Sequence, residues 1–199
     1  MPRRNRVRNL MIPLGLCGLL VLGLVLSRRP VPPPSPAPVV LTELCRTNLV
    51  HRDGMWYQAG HTNTFTGILL EFYPDGSRKS RSAVAHGLLN GLSKGWYTNG
   101  QLQVSETYQA NFSDGLRTKW YATGKKLSEA KVVLGKIEGV YRRWYPDGTL
   151  SEEIPMRDGQ IDGIGHAYYE SGYVKATVEY RAGKVVAQHN WTDGEQKGG

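Results

Sequence analysis

The chain has 199 residues, 40% of them hydrophobic, with 24 glycines, 11 prolines and two cysteines. Two cysteines exclude a disulfide-stapled scaffold. The net charge of +8 does not point to nucleic acid, because residues 1–42 hold six arginines and no acid while the remainder is close to neutral.

The first predicted element is a membrane anchor. Asn9 to Ser27 carries no charge and is mostly Leu, Val and Gly, with Arg3, Arg4, Arg6 and Arg8 before it and Arg28 and Arg29 after it. An apolar run of about 20 residues is what a helix needs to cross a bilayer. The following SRRPVPPPSP offers no small-residue cleavage site. Residues 1–29 therefore read as an uncleaved signal anchor with one transmembrane helix. The arginine excess on its N-terminal side predicts a cytoplasmic N-terminus and a periplasmic or extracellular remainder. Cys17 sits in LGLC, a poor lipoprotein box because Leu16 stands where a small residue belongs. Residues 30–42 form a linker in which PVPPPSPAP places six prolines in nine residues. As polyproline II it is a stiff spacer of about 28 Å at ~3.1 Å per residue. Cys45 lies beyond it, in a different setting from Cys17, so no intrachain disulfide is expected.

Residues 43–66 read as a capping hairpin ahead of an array over residues 67–186. Trp144 to Leu150 reads WYPDGTL, and related strings occur as EFYPDGSRK, GWYTNGQLQ, KWYATGKKL and AYYESGYVK. The tyrosines Tyr73, Tyr97, Tyr121, Tyr145 and Tyr169 stand 24 residues apart without a slip. Glycines keep the same step at Gly67, Gly91, Gly115, Gly139 and Gly163, and again at Gly76, Gly100, Gly124, Gly148 and Gly172. A third column, Gly87, Asn111, Gly135, Gly159 and Gly183, breaks once, to the residue that most readily replaces glycine at positive φ. A period in the twenties signals a repeat architecture of five units.

Each unit reads as a β-hairpin. In the unit opening at Gly91, Leu92, Lys94 and Trp96 alternate with Ser93, Gly95 and Tyr97, which is strand periodicity. A turn follows (NG here; DG, TG, DG and SG elsewhere). A second strand then carries Val84, Tyr108, Val132, Met156 or Tyr180 late in its course. No stretch of the array shows helical periodicity. The expected fold class is all-β, an elongated antiparallel β-meander of about ten strands preceded by the transmembrane helix. The glycines Gly76, Gly100, Gly124, Gly148 and Gly172 and the ladder Trp96, Trp120 and Trp144 are expected to be structural. One face, with Ile68, Leu92, Leu116, Val140 and Ile164 beside the Phe72, Trp96, Trp120, Trp144 and Tyr168 column, is expected to be packed. The opposite face, with the tyrosines, Glu71, Arg117, Lys119, Tyr141 and Arg143, is expected to be wet. Ala187 replaces the next opening glycine, so residues 187–199 read as the end of a closing strand and a disordered tail.

Strings that suggest catalysis do not hold together. GLSKG at Gly91–Gly95 matches a nucleophile elbow, but Ser93 lies within a repeat strand where an elbow requires a turn into a helix. SEAK at Ser128–Lys131 lacks the companion strings of a penicillin-binding site. His51, His61, His86, His166 and His189 fall at unrelated repeat phases without metal-ligand spacing. The polar column Asn90, Asp114, Glu138 and Asp162 could be a cation ladder, but turn chemistry accounts for it better. No catalytic residue, metal or cofactor is expected.

The tandem pattern GxxxxWYxxGxLxxxxxYxxGxxxG resembles the MORN repeat in its bacterial variant. NLVHRDGMWYQAG with the FTG at Phe65–Gly67 is similar to the opening of the YwqK family of antitoxins. The resemblance covers about Leu44 to Val186 and implies a recognition meander, with a toxin as one conceivable partner. The expected function is a membrane-anchored scaffold that binds a protein. The alternative is an envelope module that binds lipid headgroups or wall polymer, and an enzyme comes last. The expected binding patch is Tyr97, Tyr121, Tyr145, Arg117, Lys119, Tyr141 and Arg143, since Tyr and Arg are enriched at interfaces.

Overall fold

The computed structural model describes residues 41–195, so the expected anchor, nearly all of the linker and residues 196–199 lie outside the described residues. The chain enters through β1 (Glu43–Cys45), a short 3-10 turn (Arg46–Asn48) and a hairpin of β2 (Leu49–Arg52) and β3 (Met55–Gln58). Five repeat hairpins follow. The first is β4 (Gly67–Phe72) with β5 (Arg78–Ala85), and the second is β6 (Leu88–Trp96) with β7 (Leu102–Gln109). In the third, the short β8 (Phe112–Ser113) leads into β9 (Gly115–Trp120) and β10 (Lys126–Val133). The fourth is β11 (Lys136–Trp144) with β12 (Leu150–Arg157). In the fifth, β13 (Gln160–Ile161) leads into β14 (Gly163–Tyr168) and β15 (Val174–Arg181), and β16 (Lys184–Asn190) closes the array. All but β2 and β3 belong to one sheet that follows chain order from β4 to β16. Every pairing is antiparallel except that of β1 with β4, which is parallel.

Each hairpin is closed by the turn its residues require. At Tyr145–Gly148 the glycine N–H donates to the tyrosine carbonyl at 2.9 Å and Tyr145 N–H donates to Thr149 O at 2.8 Å. Asp147 fixes this turn by accepting from the Thr149 N–H at 2.8 Å. The same backbone pair recurs at Tyr73, Tyr97, Tyr121 and Tyr169. The second turn of each unit is a two-residue loop with positive φ at both central positions, 46° to 51° at the first and 70° to 84° at the second. That is the turn whose twist matches the flanking strands. Its N–H at the third glycine column donates to the carbonyl 22 residues earlier: Gly87 to Phe65, Asn111 to Leu89, Gly135 to Ser113, Gly159 to Ile137 and Gly183 to Ile161. Adjacent turns are thereby tied into a row.

Leu134 occupies the first of these positive-φ positions at 46° while its side chain is exposed. Left-handed backbone costs a branched residue about 1–2 kcal/mol, and nothing buried compensates. Leu134→Asn is expected to raise stability by about 1 kcal/mol, read as a higher melting temperature.

Gly67, Gly115 and Gly163 start β4, β9 and β14 as the period suggests, whereas Gly91 and Gly139 interrupt longer strands. Gly91 and Gly139 lie inside β6 and β11 with φ of 104° and 80°, and the pairing with the preceding strand shifts register around each. These are bulges, which sharpen local bend and twist. Gly115 and Gly163 make the same break, and there it separates β8 from β9 and β13 from β14.

Cross-strand register sorts the side chains into two faces, and apart from Ile68, which is buried as expected, their packing is the reverse of expectation. Leu92, Leu116, Val140 and Ile164 are exposed, and Trp96, Trp120 and Trp144 are only partly covered. The packed face is the one carrying the tyrosines. It buries Leu69, Ser82, Val84, Ser128, Ala130, Val132 and Ala176, with Val132 fully inaccessible. Second strands decide the outcome: in β5, β10 and β15 the buried residues of this face are small or β-branched and let neighbouring side chains close over them. At the N-terminal end β2 and β3 cover this face, where Leu49, Phe65, Leu69 and Val84 form a core against Leu44, Trp56 and Leu89.

Candidate binding surfaces

The tyrosine column is built into the array. Tyr73, Tyr97, Tyr121 and Tyr145 donate their hydroxyls to the carbonyls of Trp96, Trp120, Trp144 and Tyr168, each at 2.8 Å, and Tyr169 donates to Trp191 O at 3.0 Å. Every tyrosine thus bridges to the aromatic residue of the next unit and satisfies a carbonyl at the strand end. For Tyr97, Tyr121 and Tyr145, the expected contact residues, the hydroxyl is committed to this bridge and only the ring is free for a partner. Removing one hydroxyl should cost about 1 kcal/mol. Tyr121→Phe is expected to lower the melting temperature by a few degrees in thermal unfolding, and Tyr121→Phe with Tyr145→Phe by about twice as much.

Arg117, Lys119, Tyr141 and Arg143 do share that face by register. Lys119 and Arg143 flank Ser128 in one cross-strand row and both are exposed. Arg117 is held differently, with its Nε 2.8 Å from Glu106 Oε2. Glu106 also accepts from Tyr108 Oη at 2.9 Å and Ser113 Oγ at 3.0 Å. Burial of the Glu106 carboxyl works to raise its pKa, but the hydrogen bonds from Tyr108 and Arg117, the guanidinium charge and Ser113 outweigh it and hold the group below the usual carboxylate range. Burial, aided by the Glu106 carboxylate, pushes Tyr108 up to about 12. This network escaped the reading of first strands. Its signal was the column Ser82, Glu106, Ala130, Ile154 and Val178, in which one acid stands among small and apolar residues. Beside it Tyr97, Val104, Glu106, Lys119 and Trp120 line an open groove of about 380 Å³.

The opposite face presents a different chemistry. Leu92, Leu116, Val140 and Ile164 are 44, 57, 40 and 57% exposed and recur once per unit. The tryptophan column runs alongside, with Arg78 lying 5.7 Å from the ring centre of Trp96 and Lys126 5.0 Å from that of Trp144. Between the two columns runs a charged row that includes Arg142 paired with Glu153 at 2.7 Å. Apart from β2, β3 and the 3-10 turn, every described element belongs to the sheet itself, so no described helix or second layer covers this face.

The remaining candidates have structural roles. Ser93 Oγ lies 2.7 Å from Ser82 Oγ, so its partner is another hydroxyl and not a base. Glu138 and Asp162 accept from the backbone N–H groups of Asp158 and Ala182, 20 residues further on, so they brace the turn that ends their unit and not a turn of adjacent residues. Among the described residues no three His, Cys, Asp or Glu side chains converge as a metal site. Nor is any described helix long and apolar enough to cross a membrane. Asn111, the one break in its glycine column, accepts from Leu89 N–H at 2.7 Å and donates to Gly54 O at 3.1 Å. Its amide therefore fastens the capping hairpin to the array, a task glycine could not perform.

A family model described as MORN repeat variant matches residues 89–110 and 137–158. Both segments run through one hairpin and end within the following turn, in the second and fourth units. No curated protein matches the chain. The described fold is thus an all-β meander of hairpin repeats that includes MORN repeat variant units.

Proposed function

We propose that the chain is a membrane-anchored scaffold that recognises a protein partner through its leucine and tryptophan face. The observation that carries the proposal is the exposed column Leu92, Leu116, Val140 and Ile164 on a sheet face without a described covering layer. Thr107 and Lys131 stand beside Leu92 and Leu116 on the intervening strands, so the column offers a partner regularly spaced apolar anchors in a polar surround. Flanking tryptophans and the Arg142–Glu153 pair supply the aromatic anchors and polar surround that interfaces use. The apolar, arginine-flanked N-terminal segment supports the anchor, with the array outside the cytoplasm. The resemblance to the YwqK antitoxins directs the first search for the partner to toxin-like proteins.

A second reading rests on Lys119 and Arg143, exposed in one row of the tyrosine face. These cations suit an anionic headgroup, wall polymer or acidic protein. Photo-crosslinking of the full chain in its native membrane separates the two. A crosslinking residue at Leu92 or Ile164 is expected to capture a protein, and Leu116→Glu with Val140→Glu in the same chain to abolish that capture without lowering the melting temperature. Adducts formed only from positions 119 and 143 would overturn the assignment in favour of the second reading.

A further inference from the structure

The two ends of the sheet are finished differently. At the β4 end, β1 adds a parallel strand and the capping hairpin closes over the adjoining core. At the other end β16 pairs only with β15 among the described elements, and all seven of its residues are exposed. Open edges are usually blunted by charge, proline or brevity. The sequence of β16, KVVAQHN, holds one formally charged residue, Lys184, and no proline. The Trp191 N–H donates to Lys175 O at 3.0 Å, and the register runs on through His189 with Thr177 and Ala187 with Glu179. Antiparallel ladders alternate bonded and non-bonded pairs, so Gln188 and Asn190 turn their backbone N–H and C=O groups away from β15, toward the open side.

We infer that β16 pairs antiparallel with β16 of a second copy of this chain, about a two-fold axis at Gln188, joining two arrays into one continuous sheet. The charges at the two ends of the strand select this occupant and this direction. Lys184 lies at its start and Asp193 and Glu195 just past its end, while Arg181, the last residue of β15, is paired with Glu179. Antiparallel pairing centred on Gln188 sets Lys184 of each copy opposite Thr192 of the other, beside Asp193 and Glu195, so opposite charges meet twice. Parallel pairing would stack like on like. A two-fold contact also closes on itself and leaves no further edge of this kind to propagate.

The test uses the full chain in mild detergent, so that any association through residues 1–40 is common to all samples. Sedimentation velocity over a concentration series is expected to show a reversible dimer for the native chain. Gln188→Lys and Gln188→Glu, each of which sets like charges at the two-fold, should each raise the dissociation constant roughly fivefold without changing the melting temperature. An equimolar mixture of the two variants should recover the native dissociation constant, because position 188 faces position 188. A native chain that stays monomeric overturns the inference and leaves the edge to a strand from another protein. A native dimer that neither variant weakens, or whose loss the mixture fails to restore, overturns it as well.

Discussion

Gly67→Ala is expected to destabilise the protein by about 3 kcal/mol, more than alanine at any turn glycine of the array. A Cβ at this position would be driven into the carbonyl oxygen of Thr42 and would stand 2.6 Å from Cζ of Phe65. Neither neighbour can give way cheaply. The Thr42 carbonyl accepts the Ile68 N–H at 2.8 Å next to the pairing of β1 with β4, and Phe65 is 5% exposed in the core beneath the capping hairpin. Relief requires either releasing β1 or displacing Phe65, and losing a buried phenylalanine costs ~3–5 kcal/mol. Gly100→Ala is the control, since nothing lies within 4 Å of a Cβ there and only its φ of 81° is penalised, at about 1–2 kcal/mol. Thermal unfolding should rank Gly67→Ala well below Gly100→Ala, with hydrogen exchange accelerated in residues 49–58. Equal melting temperatures would show that the cap contributes nothing to the stability of the array.

The periodic skeleton was readable because period and turn chemistry are local. A residue such as Gly148 declares its turn from four neighbours in sequence, and Tyr145 recurs because each unit needs its hydroxyl bridge to the next. What depends on distant strands was not readable. Leu92 and Trp96 look like core when the first strand is considered alone. The burial of Ala130 and Val132 on the opposite face follows from register across β9, β10 and β11. Gly91 and Gly139 looked like strand starts, as Gly67, Gly115 and Gly163 are, because periodicity locates a positive-φ residue without saying whether a turn or a bulge needs it. Asn111 looked like a tolerated lapse from glycine, whereas its side chain contacts Gly54, 57 positions earlier. Arg117 looked free because Glu106 lies on another strand.

Arg117→Ala is accordingly expected to lower stability by about 2 kcal/mol, in contrast to Lys119→Ala or Arg143→Ala, which should change it by less than about 0.5 kcal/mol. The Arg117 side chain is 29% exposed and that of Glu106 15%, so removing the guanidinium leaves a largely covered carboxylate short of a charged donor. The pH dependence identifies the cause. Glu106 titrates below its unfolded value of about 4.3, so its contribution is present above that pH and is lost as the pH falls through its folded value. Tyr108 titrates near 12 against about 10 when unfolded, so its contribution is present below pH 10 and is lost as the pH rises toward 12. Arg117→Ala should raise the Glu106 pKa and shrink the stability lost in acid, whereas Tyr108→Phe should remove the alkaline loss specific to that phenol. If Arg117→Ala matched Lys119→Ala in melting temperature and left the acid limb unchanged, the ion pair would carry no stability. Arg117 would then return to the set of surface cations free to bind a partner. The opposite outcome leaves Lys119 and Arg143 as the pair through which the tyrosine face attracts an anionic ligand, with Arg117 held to the one partly buried acid of its column.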